Sequence, residues 1–130
     1  MAQMTQTDLL LEFDFEGGTI LHAVMERVNA PLILEEVKVK LPIEGRAALI
    51  RNEMQITLGI GKGNVKPTKE VKRGDVAYMP LGDNLCIYLE DMTTFSQVTV
   101  LGRITSDHET LETLKSVRRG AAVEIRFPKD

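Results

Sequence analysis

The sequence has few of the residues that build metal centres, disulfide frameworks or nucleophilic sites. Its single cysteine, Cys86, excludes a disulfide framework within the chain. The two histidines, His22 and His108, have no cysteine close to them in sequence, so no zinc-type ligand spacing exists and we expect no metal site. Cys86 lies among apolar residues of a predicted strand, which favours a buried structural thiol over a cysteine–histidine nucleophile.

Long apolar runs and an excess of positive charge are also missing. No run approaches the roughly 18 residues of a membrane-spanning helix, and the polar start at residues 1–8 is unlike a signal peptide. A net charge of −3 disfavours nucleic acid or an anionic membrane as the main partner. With 43% hydrophobic residues over a length of 130, the chain is predicted to be one cytoplasmic globular domain, residues 1–130, with a flexible N-terminus at 1–8.

A glycine-rich stretch at residues 59–63 follows a predicted strand but lacks the rest of a phosphate-binding motif. The chain continues through Asn64 to Pro67 without the helix that would hold a phosphate, so we expect no nucleotide or other cofactor. The same loop is rich in cations, and a solvated surface is favoured over an anion site or a patch for an acidic partner. These cations are Lys62, Lys66, Lys69, Lys72 and Arg73.

Alternation of apolar and polar residues predicts about eight short strands. In the first, residues 9–16, the apolar residues share one face, and Gly17-Gly18 predicts the hairpin turn that follows. The other predicted strands cover residues 19–25, 46–51, 54–60, 76–80, 84–90, 97–104 and 121–127, and residues 61–73 are predicted to be a loop. The acidic residues of the first strand, Glu12, Asp14 and Glu16, are predicted to form the wet face of an edge strand.

Two helices complete the pattern. Pro31 suits the first turn of a helix over residues 31–41. Ser106 and Glu109 form a capping box for a second helix, which runs to Arg118 and Arg119 and stops at Gly120. Short strands with tight turns favour antiparallel pairing. Eight such strands and two short helices predict a mainly β fold, a closed eight-stranded antiparallel barrel with helices plugging its ends.

Three runs in the C-terminal half carry a family resemblance: residues 74–80 (GDVAYMP), 85–88 (LCIY) and 98–104 (VTVLGRI), the last followed by a helix. Together with the closing strand they resemble a small, uncharacterised prokaryotic cyclophilin-like family over residues 74–127. That family typically shows Gly-Asp-Val-x-Tyr-Trp-Pro in the first run. The resemblance implies the cyclophilin barrel, eight antiparallel strands with a helix over each open end.

The resemblance does not imply prolyl isomerase activity. True cyclophilins carry an Arg on the third strand and a Phe-Met-x-Gln run on the fourth, and later use a Trp and a His. Here Met54 can take the Met position, but Ile56 falls where the Gln is expected. Ala48 falls about where the Arg belongs, with Arg46 on the same face, and the chain has no tryptophan.

Three functions stay open at this stage. The first is a binding module for a peptide or small molecule, with a candidate groove at Arg46, Arg51, Met54, Tyr78, Met79 and Tyr88. The second is a divergent prolyl isomerase in which Arg46 or Arg51 stabilises the twisted amide. The third is an enzyme of another class, with His22 or His108 beside a carboxylate at a barrel mouth. Pairing of exposed strand edges in a homo-oligomer is also open.

Overall fold

A computed structural model describes residues 8–129. In chain order the strands of this part are β1 (Leu9–Phe15), β2 (Ile20–Met25), β3 (Ile43–Ile50), β4 (Glu53–Thr57), β5 (Thr68–Val71), β6 (Asp75–Met79), β7 (Asn84–Tyr88), β8 (Met92–Ile104) and β9 (Ala121–Arg126). The helices are α1 (Pro31–Lys40) and α2 (His108–Glu112), the latter followed by a 3-10 turn, Thr113–Ser116. Apart from Asp8, the predicted flexible N-terminus lies outside the described residues. Within them, neither α-helix is long and apolar enough to cross a membrane.

Eight of the strands form a hydrogen-bonded ring in the order β2, β1, β9, β3, β4, β7, β6, β8 and back to β2. Every pairing is antiparallel, and the β2–β8 pairing closes the ring. The remaining strand, β5, pairs with β8 alone. The predicted mainly β, antiparallel fold with two short helices is therefore confirmed.

Closure of the ring depends on a glycine. Gly102 of β8 lies opposite Met25 of β2. A Cβ atom at this position would lie 2.0 Å from the carbonyl oxygen of Val24, well inside van der Waals contact. Any larger residue would push β2 and β8 apart, so the seam requires glycine.

The core fills the inside of the ring. On β1 the alternating residues Leu11, Phe13 and Phe15 are buried there, as their spacing predicts. Helix α1 packs buried apolar side chains such as Ile33 into the same cluster, and the segment of α2 and the 3-10 turn adds Leu111 and others. Burial of each such large side chain stabilises the fold by about 1.5–3 kcal/mol.

A second, smaller apolar cluster lies on the outer face of the ring, because alternate strand residues point to opposite faces. Its buried members are Val71, Ala77, Cys86, Tyr88 and Val98. Strand β5 and the first half of β8 lie over it. The prediction of a loop throughout residues 61–73 was therefore wrong at β5, a four-residue strand with one buried apolar residue, too short to give a pattern.

The cap of α2 also differs from the prediction. The N-cap is Asp107, whose side chain accepts a 2.8 Å hydrogen bond from the backbone N–H of Thr110. Ser106 Oγ instead accepts a 2.8 Å hydrogen bond from the backbone N–H of His22, so it ties the helix entry to β2. The helix is shorter than predicted, and Arg118 lies beyond its end, paired with Glu16 at 3.1 Å.

Strand β1 is not an edge strand, since it pairs with both β2 and β9. Glu12 is consequently buried rather than part of a wet face. Its carboxylate pairs with Arg126 of β9 and lies 3.0 Å from Nε2 of His22. Arg126 also pairs with Asp14 of β1 and with Glu124 of β9, so one guanidinium holds together carboxylates from two strands.

Candidate functional site

The outer face of β4, β6 and β7 carries a cavity of about 670 Å³, referred to below as the outer groove. One side is bounded by the turn between β3 and β4, the other by the start of β8. The groove is lined by Ile50, Arg51, Glu53, Gln55, Met79, Leu81, Gly82, Asn84 and residues 92–96. Its volume lies within the roughly 300–1,000 Å³ of small-molecule sites.

Strand register places the polar side chains of the groove. Glu53 and Gln55 of β4 lie opposite Tyr88 and Cys86 of β7, and Asn84 of β7 lies opposite Met79 of β6. All of these point outward, because the residues that alternate with them, such as Met54, belong to the core inside the ring.

Three of these side chains form a hydrogen-bonded row along the floor. Asn84 Nδ2 donates to Gln55 Oε1 at 3.3 Å, and Gln55 Nε2 donates to Glu53 Oε2 at 2.7 Å. The Cys86 thiol donates to the same Glu53 oxygen at 3.7 Å. The row orients an amide and a carboxylate at fixed positions, which is what directional recognition of a ligand requires.

Beneath the floor, Cys86 and Tyr88 are fully buried. Burial, with the neighbouring Glu53 carboxylate, raises the pKa of the Cys86 thiol above its ordinary value, which disfavours the thiolate that a nucleophile needs. The predicted buried structural thiol is confirmed. Burial, with the Cys86 and Glu53 groups nearby, likewise raises the pKa of Tyr88.

The rim of the groove is apolar and exposed. Leu81 is 78% exposed and Phe95 is 93% exposed, and they rise from the β6–β7 turn and from β8 respectively. Arg51 adds a cation in the β3–β4 turn, where its φ of 58° lies in the left-handed region that non-glycine residues seldom adopt. The groove thus combines a polar floor with an apolar rim.

The six residues of the predicted groove are dispersed in the structure. Arg51 and Met79 line the outer groove, and Tyr88 lies buried beneath it. Met54 and Tyr78 belong to the core inside the ring. Arg46 lines a separate acidic cavity of about 410 Å³, with Asp14, Glu16, Glu44 and Glu124 among its other lining residues.

Sequence reasoning missed the polar floor. Glu53, Gln55 and Asn84 carry no motif, and only the pairing of β4 with β7 brings them together. One signal was available: the strict alternation in residues 54–60 places Gln55 on the face opposite to Met54 and Ile56.

The histidines and Arg73 of the basic loop make contacts that connect elements of the fold. His22 pairs with Glu12, and neither histidine is among the lining residues of the outer groove or of the acidic cavity. Arg73 of the basic loop pairs with Glu112 at 2.7 Å and donates to His108 Nδ1 at 3.2 Å, which anchors α2. Among residues 8–129, no three His, Cys, Asp or Glu side chains lie together as a metal ion would require.

Two solved structures are similar to this chain in fold. The hypothetical protein AF2241 from Archaeoglobus fulgidus has a TM-score of 0.78 and 24% sequence identity, covering 98% of this chain and 100% of that protein. McbB, in complex with tryptophan, has a TM-score of 0.74 and 14% identity, covering 92% of this chain and 45% of McbB. At these identities the likeness concerns the fold alone. No curated protein matches the sequence.

The family comparison extends beyond the resemblance seen in the C-terminal half. The family described as Cyclophilin-like matches residues 10–126, from β1 to the end of β9. The predicted family resemblance is therefore confirmed, and it includes the N-terminal strands whose motifs alone gave no match. This chain belongs to the Cyclophilin-like family.

Proposed function

We propose that the protein is a binding module in which a cyclophilin-type barrel presents the outer groove to a peptide or a small molecule. The observation that carries this proposal is the row of Asn84, Gln55 and Glu53 on the floor of a cavity with an apolar rim. A few placed polar groups within an apolar concavity are typical of ligand sites.

Exposure of the rim gives a second line of support. Two large apolar side chains, Leu81 and Phe95, lie in water at the mouth of the groove. An apolar ligand that contacts both would remove them from water, at about 25 cal/mol per Å² of apolar surface buried. Clustered exposed apolar side chains beside a concavity mark interaction sites more often than isolated ones do.

The test is a screen of small apolar fragments and short extended peptides against the ¹⁵N-labelled protein. We expect backbone resonances of β4, β7 and residues 92–96 to shift with bound ligand. The double variant L81A/F95A should weaken that binding at least fivefold. The control L32A removes a side chain that is 72% exposed on α1, away from the groove, and should leave binding unchanged. The proposal would be refuted if no ligand in the screen shifted any resonance, or if the shifts were confined to surfaces outside the groove.

A divergent prolyl isomerase is the second candidate, favoured by the presence of Arg51 and Gln55 in the same groove. A cation and an amide donor could stabilise the twisted amide of the transition state. The assay is acceleration of proline isomerisation in a peptide, with R51A expected to abolish it. R46A is the matched control, because Arg46 lies in the other cavity. No acceleration at high protein concentration would exclude this activity.

A further inference from the structure

We infer that the ligand of the outer groove carries a protonated amine, which donates to Oε1 of Glu53. The inference rests on the proposed binding function and specifies the chemical class of the ligand. It follows from the burial of Glu53, from the hydrogen bonds that its two oxygens make, and from the charges around it.

Glu53 is a buried carboxylate, with 8% of its surface exposed, on the floor of the groove. Among residues 8–129 no Lys, Arg or His lies within ion-pair distance of it. Arg51 lines the same groove but makes no ion pair there. Buried charges in proteins are normally paired, because removal of an ion from water is costly. The carboxylate thus has no counterion among the described residues.

The two carboxylate oxygens of Glu53 are not equivalent. Two side-chain donors hydrogen-bond to Glu53, Gln55 Nε2 and the Cys86 thiol, and both reach Oε2. The nearby hydroxyl of Tyr88 is buried and makes no hydrogen bond within the described residues. Within the described residues no side chain or backbone N–H donates to Oε1. Oε1 is therefore without a hydrogen-bond donor among the described residues, on a side chain that lines the groove.

A single available oxygen selects among cations. A guanidinium binds a carboxylate best through two parallel hydrogen bonds, which would need both oxygens. An ammonium is a compact donor that one oxygen satisfies. A metal ion would need further ligands, and the described residues place no cluster of them here. The geometry consequently favours an ammonium group over a guanidinium or a metal ion.

The rest of the groove describes the body of such a ligand. Met79, Leu81 and Phe95 give apolar contacts, and an aromatic ring such as that of Phe95 also attracts a cation near its face. A primary amine attached to a compact apolar or aromatic group matches both the floor and the rim.

The experiment compares 2-phenylethylamine with its neutral analogue 2-phenylethanol, titrated into the ¹⁵N-labelled full chain at neutral pH. We expect the amine to shift resonances of the groove with an apparent Kd at least tenfold lower than that of the alcohol. The trimethylated quaternary ammonium analogue, which has charge but no N–H, should bind more weakly than the primary amine.

E53Q should raise the Kd of the amine at least tenfold while leaving that of the alcohol within twofold. The control is E44Q, at an exposed carboxylate that lines the other cavity, and it should have no effect on either ligand. If E53Q does not fold, the comparison of the three ligands on the unmodified protein still decides the inference.

Equal binding of amine and alcohol to the groove would overturn the inference and leave the proposed binding function intact. The inference would also be overturned if neither ligand shifted a resonance of the groove. The separate screen of fragments and peptides would then decide whether the groove binds anything. Tight binding of the amine that E53Q leaves unchanged would equally overturn the assignment to Glu53.

Discussion

The hydroxyl of Tyr78 donates a 2.6 Å hydrogen bond to Oδ1 of Asp83, although the two residues lie on opposite sides of the β6–β7 turn. Asp83 also accepts from the backbone N–H groups of Ile60 and Gly61, at 3.0 Å each. The same phenol oxygen accepts from the backbone N–H of Lys62 at 3.1 Å. One buried ring thus anchors the loop after β4 to the turn that carries Leu81 at the rim of the outer groove.

Replacement of Tyr78 by Phe should lower the free energy of unfolding by about 2 kcal/mol, because hydrogen bonds to a charged group contribute about 1.5–3 kcal/mol. Chemical denaturation measures the loss. Hydrogen exchange should show faster exchange at Ile60 to Lys62, with β1 unchanged. A loss below 0.5 kcal/mol would mean that the loop does not depend on this anchor.

The same pair predicts a loss of stability in both alkali and acid. Burial, together with the Asp83 carboxylate, raises the pKa of Tyr78 to about 12. Above pH 10 the unfolded chain therefore ionises this phenol while the folded chain keeps its proton, so stability falls as pH rises. Y78F should show a shallower decline of stability between pH 10 and 12.

Burial opposes ionisation of Asp83, but the hydrogen bonds from Tyr78 and from the loop outweigh burial and lower the pKa of Asp83. The contribution of Asp83 is thus lost on acidification.

The β2–β8 seam gives a sharper test of the fold. G102A places a methyl group 2.0 Å from a backbone oxygen that has no room to move without opening the ring. Overpacking of this kind costs about 1–3 kcal/mol, and the backbone contact puts this variant at or above the upper end. G63A is the control, since a Cβ there meets nothing within 4 Å. Equal thermal unfolding of both variants would show that the seam is not closed as described.

Glu12 should make the protein less stable in acid. Burial works to raise its pKa, but hydrogen bonds from Arg126 and His22 outweigh burial and hold the pKa below its usual value. A carboxyl whose pKa is lowered on folding stabilises the protein above its unfolded pKa, near 4.5, and loses that effect as pH falls further. We expect E12Q to be less stable than wild type at pH 7.

The two stability curves should converge as the pH falls below about 4.5 and through the lowered pKa of Glu12, because the wild-type carboxyl group then becomes uncharged like the glutamine. Denaturation at a series of pH values measures this. E44Q should run parallel to wild type throughout. A constant difference between E12Q and wild type at every pH would point to lost packing rather than to charge.

The alternation in the first strand and the Gly17-Gly18 turn made β1 and β2 predictable, since each signal is local in sequence. The groove was not predictable in the same way. A shift of one residue on β4 exchanges Met54, which lies in the core, for Gln55, which lies on the floor.

Burial of Glu12 escaped prediction because alternation identifies a face but not what covers it. The strand reads as half-buried, yet β9 supplies Arg126 from a position 114 residues away in sequence. The row of Glu53, Gln55 and Asn84 is likewise set by pairing between strands that are distant in sequence. Local pattern therefore determined the elements, while charge pairing and the site depended on which strands became neighbours in the ring.

Arg51 holds a backbone conformation that its side chain disfavours. In the two-residue turn between β3 and β4 its φ is 58°, and a residue with a Cβ pays about 1 kcal/mol in this region relative to glycine. R51G should accordingly raise the free energy of unfolding by about 0.5–1 kcal/mol. R51K keeps both the strain and a positive charge and should stay within 0.3 kcal/mol of wild type. Chemical denaturation of the three proteins measures the difference. Strain of this kind concentrates at functional sites, and Arg51 lies at the groove. Destabilisation by R51G would instead mean that the side chain secures the turn.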